Sequence, residues 1–177
     1  MTKPQQSTVM AGVLRRGLRR SARCLSTNAF AAEQLLTKGG FKDIKFTHST
    51  TLNVRWGDVD SMGHVNNVKM FVYFEQARCQ AFEDVGLKIG SQHDMVEGPI
   101  LAQTQCRYRG PVEFPDTVTV GSLSEQTSDS TWTQRYAVVA HSSGRVVAEG
   151  DAEMVWFDYK EGKRKSFSED AKKRLFG

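Results

Sequence analysis

A chain of 177 residues, of which 39% are hydrophobic and 25% charged, is long enough for one globular domain with its own core. It has no apolar run of the roughly 18 residues that a membrane span requires. The net charge of +4 arises in the first 32 residues, which hold six basic residues and no acid. The remainder has 18 basic and 20 acidic residues, so a basic nucleic-acid-binding domain is not expected.

Residues 1–32 have the composition of an organellar targeting segment. If they are placed on a helix, Val13, Leu14 and Leu18 lie on one side and the arginines of 15–23 on the other. Basic amphipathic segments without acids are typical of transit peptides. We therefore predict a mitochondrial transit peptide that is cleaved near Leu25, with delivery to the matrix. A plastid address, a disordered basic tail and a nuclear or RNA-binding patch are the alternatives.

The predicted folded part begins with a spacer at 33–45, which could include a short helix. A strand is predicted at 46–58, because Leu52, Val54 and Trp56 alternate with polar residues and would share one buried face.

A polar loop follows at 58–67, and a long helix is then predicted at 67–85. Its apolar residues recur every three or four positions, and Asn66 or Asn67 could cap its first turn. Gly86 is suited to ending it.

The second half of the chain is strand-like, with turn-forming residues between the apolar runs. The predicted strands lie at 100–112, 117–126, 130–140 and 145–159. A short helix at 168–175, capped by Ser168, closes the chain. This order predicts an α+β fold in which one long central helix lies against a curved five-stranded antiparallel sheet. The three cysteines contain no pair spaced for a zinc site and indicate no disulfide framework.

One segment carries a family resemblance. From Arg55 it reads Arg-Trp-Gly-Asp-Val-Asp-Ser-Met-Gly-His-Val-Asn-Asn, and it continues to Tyr-Phe-Glu-Gln-Ala-Arg at 73–78. It resembles the 4-hydroxybenzoyl-CoA thioesterase family, including bacterial long-chain acyl-CoA thioesterases and plant acyl-carrier-protein thioesterases. The resemblance covers about 48–175. It implies a hot-dog domain at 46–177, hydrolysis of acyl-CoA or acyl-carrier-protein thioesters without a cofactor or metal, and homodimers or homotetramers.

The resemblance also implies the catalytic residues. Asp60 takes the place of the catalytic carboxylate, as base or nucleophile, and the backbone N–H of Asn67 that of the donor to the carbonyl oxygen. Independently, a loop carboxylate beside the N-terminus of a helix suits attack on a thioester, because the N–H groups stabilise developing negative charge. His64 is a third candidate, since the similar plant enzymes use their histidine, although this chain has Met62 where their pattern has asparagine.

Several neighbouring residues are candidates for substrate binding. They are Gly63, Val65, Asn66 and Glu75. Asn66 has the alternative role of a helix cap, and Glu75 that of a partner for Arg78 three residues later. Asp58 is interpreted as a structural loop residue, although a carboxylate pair with Asp60 is an alternative.

Two other functions remain open at this point. A hot-dog hydratase or dehydratase could use His64 and Asp60 to move water across an acyl double bond. A non-catalytic protein that binds acyl thioesters would keep the fold without turnover, and Met62 is the departure that favours it.

Overall fold

The computed structural model describes Ala32 and residues 34–37, 44–87 and 95–177. Ala32–Gly177 forms a compact unit. Besides a helical stretch at 34–37, its described residues form two helices, α1 (Asn67–Asp84) and α2 (Glu169–Phe176), and a short 3-10 helix at Trp56–Asp58. The strands are β1 (His48–Asn53), β2 (Glu97–Tyr108), β3 (Thr117–Gln126), β4 (Thr131–Ala140), β5 (Arg145–Asp158) and β6 (Lys163–Arg164). The targeting segment predicted at 1–32 lies, apart from Ala32, outside the described residues, as do residues 88–94.

The strands form one antiparallel sheet in the order β1-β3-β4-β5-β2, and the two-residue strand β6 pairs with the end of β5. Helix α1 lies against the inner face of this sheet, where it packs on β1, β2 and β3. The predicted α+β hot-dog fold, with a long helix wrapped by a curved sheet, is therefore confirmed. Strands β1 and β2 stand at the two ends of the main strand order, so each presents an edge.

The core lies between α1 and the inner face of the sheet. Phe74, on the buried side of the helix, stacks on Tyr136 of β4 with ring centroids 4.6 Å apart. Gly150 of β5 makes this close approach possible. A Cβ atom there would overlap the Phe74 ring and lie 2.7 Å from the carbonyl oxygen of Gln105, so no other residue fits.

Helix α1 begins at the predicted residue and ends one residue before its predicted end. The side chain of Asn66 accepts a hydrogen bond from the N–H of Val68 at 3.0 Å, which identifies it as the N-cap. Gly86 follows the helix with φ of +78°, a conformation that glycine adopts without the strain of a side chain.

The first strand is shorter than predicted, and the expectation that Trp56 faces inward with Leu52 and Val54 is wrong. Strand β1 ends at Asn53, and the chain enters the 3-10 helix. The carboxylate of Asp58 accepts a hydrogen bond from the N–H of Arg55 at 3.0 Å and draws the chain into a turn. Trp56 is consequently 76% exposed, whereas Val54 is buried.

The outer face of the sheet is partly covered by the segment that precedes β1. Residues 34–37, within the predicted spacer, are helical. Leu36 is 4% exposed and packs with Ala137 and Val139 of β4, with Phe46 alongside. Within the part of the chain that the structure describes, no helix is long and apolar enough to cross a membrane.

Candidate active site

The loop between β1 and α1 is tied together by its own backbone. Val59 and Val65 form an isolated antiparallel bridge, and the N–H of Asp60 donates to the carbonyl oxygen of His64 at 3.0 Å. Gly63 sits at the turn with φ of +83°, which a side chain would strain. The loop is therefore a short, closed structure that presents Asp60 in a fixed position.

The carboxylate of Asp60 is half-buried and held from both sides. One oxygen, Oδ1, accepts from the backbone N–H of Met62 at 2.8 Å. The other, Oδ2, lies 3.4 Å from the side-chain nitrogen of Asn66. Because Asn66 also caps α1, one residue connects the carboxylate to the start of the helix.

The N-terminus of α1 offers a free donor next to this carboxylate. In its first turn the N–H of Val68 donates a hydrogen bond to the Asn66 side chain, and the N–H of Lys69 donates one to the Asn66 backbone carbonyl. No described residue accepts a hydrogen bond from the N–H of Asn67, which precedes them. A free N–H at the start of an 18-residue helix, where the helix dipole is positive, is suited to holding an oxyanion.

Asp58 has a different environment from Asp60. Its side chain is 1% exposed and lies 3.3 Å from Arg55 Nε and 3.4 Å from Lys69 Nζ. The hydroxyl of Tyr73 donates to it at 3.1 Å. Burial by itself would raise the pKa of the Asp58 carboxyl, but the hydrogen bonds from Arg55, Tyr73 and Lys69 outweigh burial and lower that pKa. Asp58 is thus an ionised anchor beneath the loop, as its interpretation as a structural residue predicts.

His64 is not joined to the carboxylate of Asp60 through its ring. The imidazole is 45% exposed, and its Nε2 lies 3.9 Å from Glu113. Its backbone carbonyl, in contrast, accepts from Asp60. The structure therefore connects His64 to Asp60 through the backbone.

The candidate substrate-binding residues fall into two groups. The side chain of Asn66 lies 3.4 Å from the Asp60 carboxylate, whereas the N–H of Gly63 donates to the backbone carbonyl of Asp60 at 3.0 Å. Val65 is buried, and its N–H donates to the carbonyl oxygen of Val112 at 2.7 Å. Glu75 is exposed two turns along α1.

The expected pairing of Glu75 with Arg78 does not form among the described residues. Arg78 is buried and donates instead to the hydroxyl of Tyr136 at 3.1 Å, because the helix turns its side chain toward β4.

Other residues of the site were not predicted. Lys69 and Tyr73 belong to the helix pattern, and nothing in their spacing indicates that both reach Asp58. The hydroxyl of Tyr108, at the end of β2, donates to the carbonyl of Asn67 at 3.1 Å and so braces the first turn of α1.

No group of three or more metal-binding side chains occurs within the described ranges, where Cys79 and Cys106 are free thiols.

Comparison with known proteins identifies the family that this chain matches. The profile of the thioesterase-like superfamily matches residues 54–175. A candidate thioesterase of Pseudomonas aeruginosa has a similar solved structure, with 30% identity, a TM-score of 0.65, and coverage of 70% of this chain and 94% of that protein. A thioesterase of Thermus thermophilus solved with coenzyme A and zinc has 25% identity, a TM-score of 0.63, and coverage of 74% and 98%.

Sequence comparison extends this result. The uncharacterised protein YsmA of Bacillus subtilis is 25% identical over 130 residues, which cover 73% of this chain and 86% of that protein. The family match spans the strand, the Asp60 loop, the central helix and the remaining strands. The chain belongs to the thioesterase-like superfamily, whose hot-dog fold and family relationships support acyl-thioester hydrolysis.

Proposed function

We propose that the protein hydrolyses fatty acyl thioesters of coenzyme A or of acyl-carrier protein, releasing the free acid and the thiol. The observation that supports this most strongly is the position of Asp60. Its half-buried carboxylate is joined through Asn66 to a helix N-terminus at which the N–H of Asn67 is free. These are the two groups that acyl transfer requires, a base or nucleophile and an oxyanion donor.

In the proposed reaction the thioester carbonyl oxygen accepts a hydrogen bond from the N–H of Asn67. If Asp60 is a general base, it takes a proton from water as the water oxygen attacks the carbonyl carbon. The tetrahedral intermediate then breaks its C–S bond, and the leaving thiolate receives that proton. If Asp60 is a nucleophile, it expels the thiolate and forms a mixed anhydride, which water then hydrolyses.

Asp58 is unsuited to either role. Each of its oxygens already contacts a cation or a donor, and the side chain is buried beneath the loop. The reaction is therefore assigned to Asp60 alone, and a catalytic carboxylate pair is not proposed.

A thiol-release screen tests this function. Acyl chains of increasing length are offered both as CoA thioesters and as carrier-protein thioesters, and free thiol is measured. We expect turnover with at least one class. Absence of thiol release from every thioester, by a folded protein, would refute the proposal.

A substitution of His64 distinguishes its roles. Because its ring contacts Glu113 and not Asp60, we expect His64→Ala to lower kcat by no more than about tenfold. A loss of about 100-fold or more, in a protein that remains folded, would make His64 the base.

We further propose a homodimer that joins two sheets edge to edge and places the active sites between subunits. Strand β2 supports this, because it is a 12-residue strand with an unpaired edge. Apolar side chains are exposed along it and on the adjacent helix, namely Leu101, Tyr108, Val68 and Val72. Sedimentation at equilibrium should show a dimer, or a tetramer built from it. A stable, fully active monomer would contradict this assembly.

On the basis of the predicted targeting segment, we propose location in the mitochondrial matrix. N-terminal sequencing of the protein from isolated organelles should find a start near Leu25. A cytosolic protein that starts at Met1 or Thr2 would refute this.

A further inference from the structure

Trp56 is unusual among the tryptophans of this chain. The other two, Trp132 and Trp156, are 0% and 3% exposed, whereas Trp56 is 76% exposed. Its ring is nevertheless held in place, because it meets Phe114 edge to face with centroids 5.5 Å apart and an interplanar angle of 83°. A fixed, exposed indole offers a ready stacking surface for a planar ring.

Two cationic side chains contact the turn that carries this indole. The side chains of Arg55 and Lys69 are 69% and 34% exposed, and both contact the buried carboxylate of Asp58, two residues after Trp56. Glu113, which precedes Phe114, is 74% exposed and lies 3.9 Å from His64. An aromatic surface with two partly exposed cations on the same turn fits a ligand that combines a planar ring with phosphate groups.

Trp56 lies close enough to Asp60 for one ligand to reach both residues. Trp56 precedes Asp60 by four residues, so their α-carbons are at most about 14 Å apart. The phosphopantetheine arm of coenzyme A joins a thioester sulfur at one end to an adenine nucleotide at the other. The extended arm is longer than this separation, so a thioester at Asp60 has its nucleotide within reach of Trp56.

We propose that Trp56 stacks on the adenine ring of a CoA thioester while Arg55 and Lys69 bind its phosphates. This inference rests on the proposed function and refines it. Carrier-protein thioesters have the pantetheine arm without the adenine, so they gain nothing from the indole. The site consequently favours CoA thioesters over carrier-protein thioesters.

A truncated substrate isolates this contact from catalysis. The same acyl group is supplied as a CoA thioester and as a pantetheine thioester, which lacks the nucleotide. We expect Trp56→Ala to raise the KM for the CoA thioester at least about fivefold, the loss of one base–aromatic stack. The KM for the pantetheine thioester should be unchanged, and Trp56→Phe should recover part of the loss. Tyr159→Ala, which removes another exposed aromatic ring, is the matched control and should affect neither substrate.

Binding can be measured without turnover. Since Trp132 and Trp156 are buried, quenching of tryptophan fluorescence by adenosine 3′,5′-bisphosphate reports on Trp56. We expect saturable quenching in the wild-type protein and none in Trp56→Ala.

Three results would overturn the inference. An equal rise in KM for both thioesters would show that Trp56 only shapes the loop. Loss of the dimer in Trp56→Ala would show that the indole contacts a second copy of the chain. Absence of quenching would show that no adenine binds there. Failure of the proposed function is distinguishable, because the wild-type protein would then release no thiol even from the pantetheine thioester.

Discussion

Replacing Asp60 by asparagine is expected to lower kcat by at least about 100-fold, the typical contribution of general base catalysis, and by more if Asp60 is the nucleophile. Asparagine has almost the same shape and can still accept the hydrogen bond from Met62, but it can neither take a proton nor attack a carbonyl. The side chain is half-buried in a closed loop, so we expect the fold to survive.

Two measurements check this result. Steady-state thiol release gives kcat for the wild-type and Asp60→Asn proteins, and thermal unfolding shows whether both are folded. Asp129→Asn is a matched control, because Asp129 is also a loop aspartate with a hydrogen bond, from Ser166, and lies outside the site. Turnover of Asp60→Asn close to that of the wild-type protein would remove Asp60 from the mechanism.

Replacing Asp58 by alanine is expected to have the largest effect on stability. The substitution removes the acceptor for Tyr73 and for the N–H of Arg55, and it leaves Lys69 without its anion. Since the carboxylate is buried but its cations are partly exposed, we expect a loss of about 2–4 kcal/mol in the free energy of unfolding.

The pH dependence of stability provides a second sign of this anchor. The folded state lowers the pKa of Asp58, so its stabilisation is fully present above about pH 4, where the unfolded carboxyl is ionised. It is lost as the pH falls further through the lowered folded pKa. Asp58→Ala should therefore lose less stability over that acid range than the wild-type protein.

Urea unfolding of both proteins from neutral to acid pH measures these effects. Glu125→Ala breaks the exposed pair with Arg135 and serves as the control, with an expected cost below about 1 kcal/mol. Equal stability of Asp58→Ala and the wild-type protein at neutral pH would show that the buried carboxylate is not an anchor.

Much of the fold follows from local sequence patterns. The apolar spacing of α1, its Asn66 cap and Gly86 stop are all local features, and they predict the helix within one residue at its end. Strand β3 is found at its predicted residues for the same reason, since alternating apolar residues and flanking turns determine it.

The exposure of Trp56 could not be predicted from the alternation of apolar and polar residues. Its side chain would continue the buried face of the first strand if the backbone stayed extended. The Asp58 carboxylate accepts a hydrogen bond from the N–H of Arg55, and this contact ends the strand. The spacing of apolar residues along the sequence does not predict a side-chain contact of this kind.

The contacts that support the site are also long-range. Tyr73 reaches Asp58 across the loop, and Tyr108 reaches Asn67 from a strand 41 residues later. Sequence resemblance identified Asp60 and Asn67 as candidates, whereas these supporting contacts depend on how α1 lies against the sheet.

Product analysis with an α,β-unsaturated acyl-CoA tests the proposed hydrolysis most directly. Incubation with the protein should yield free CoA and the unsaturated acid in equal amounts, with the C–S bond broken and the double bond intact. A 3-hydroxyacyl thioester without free thiol would indicate a hydratase. A thioester that is bound but recovered unchanged, for the CoA and the carrier-protein forms alike, would indicate a binding protein, and either result would contradict acyl-thioester hydrolysis.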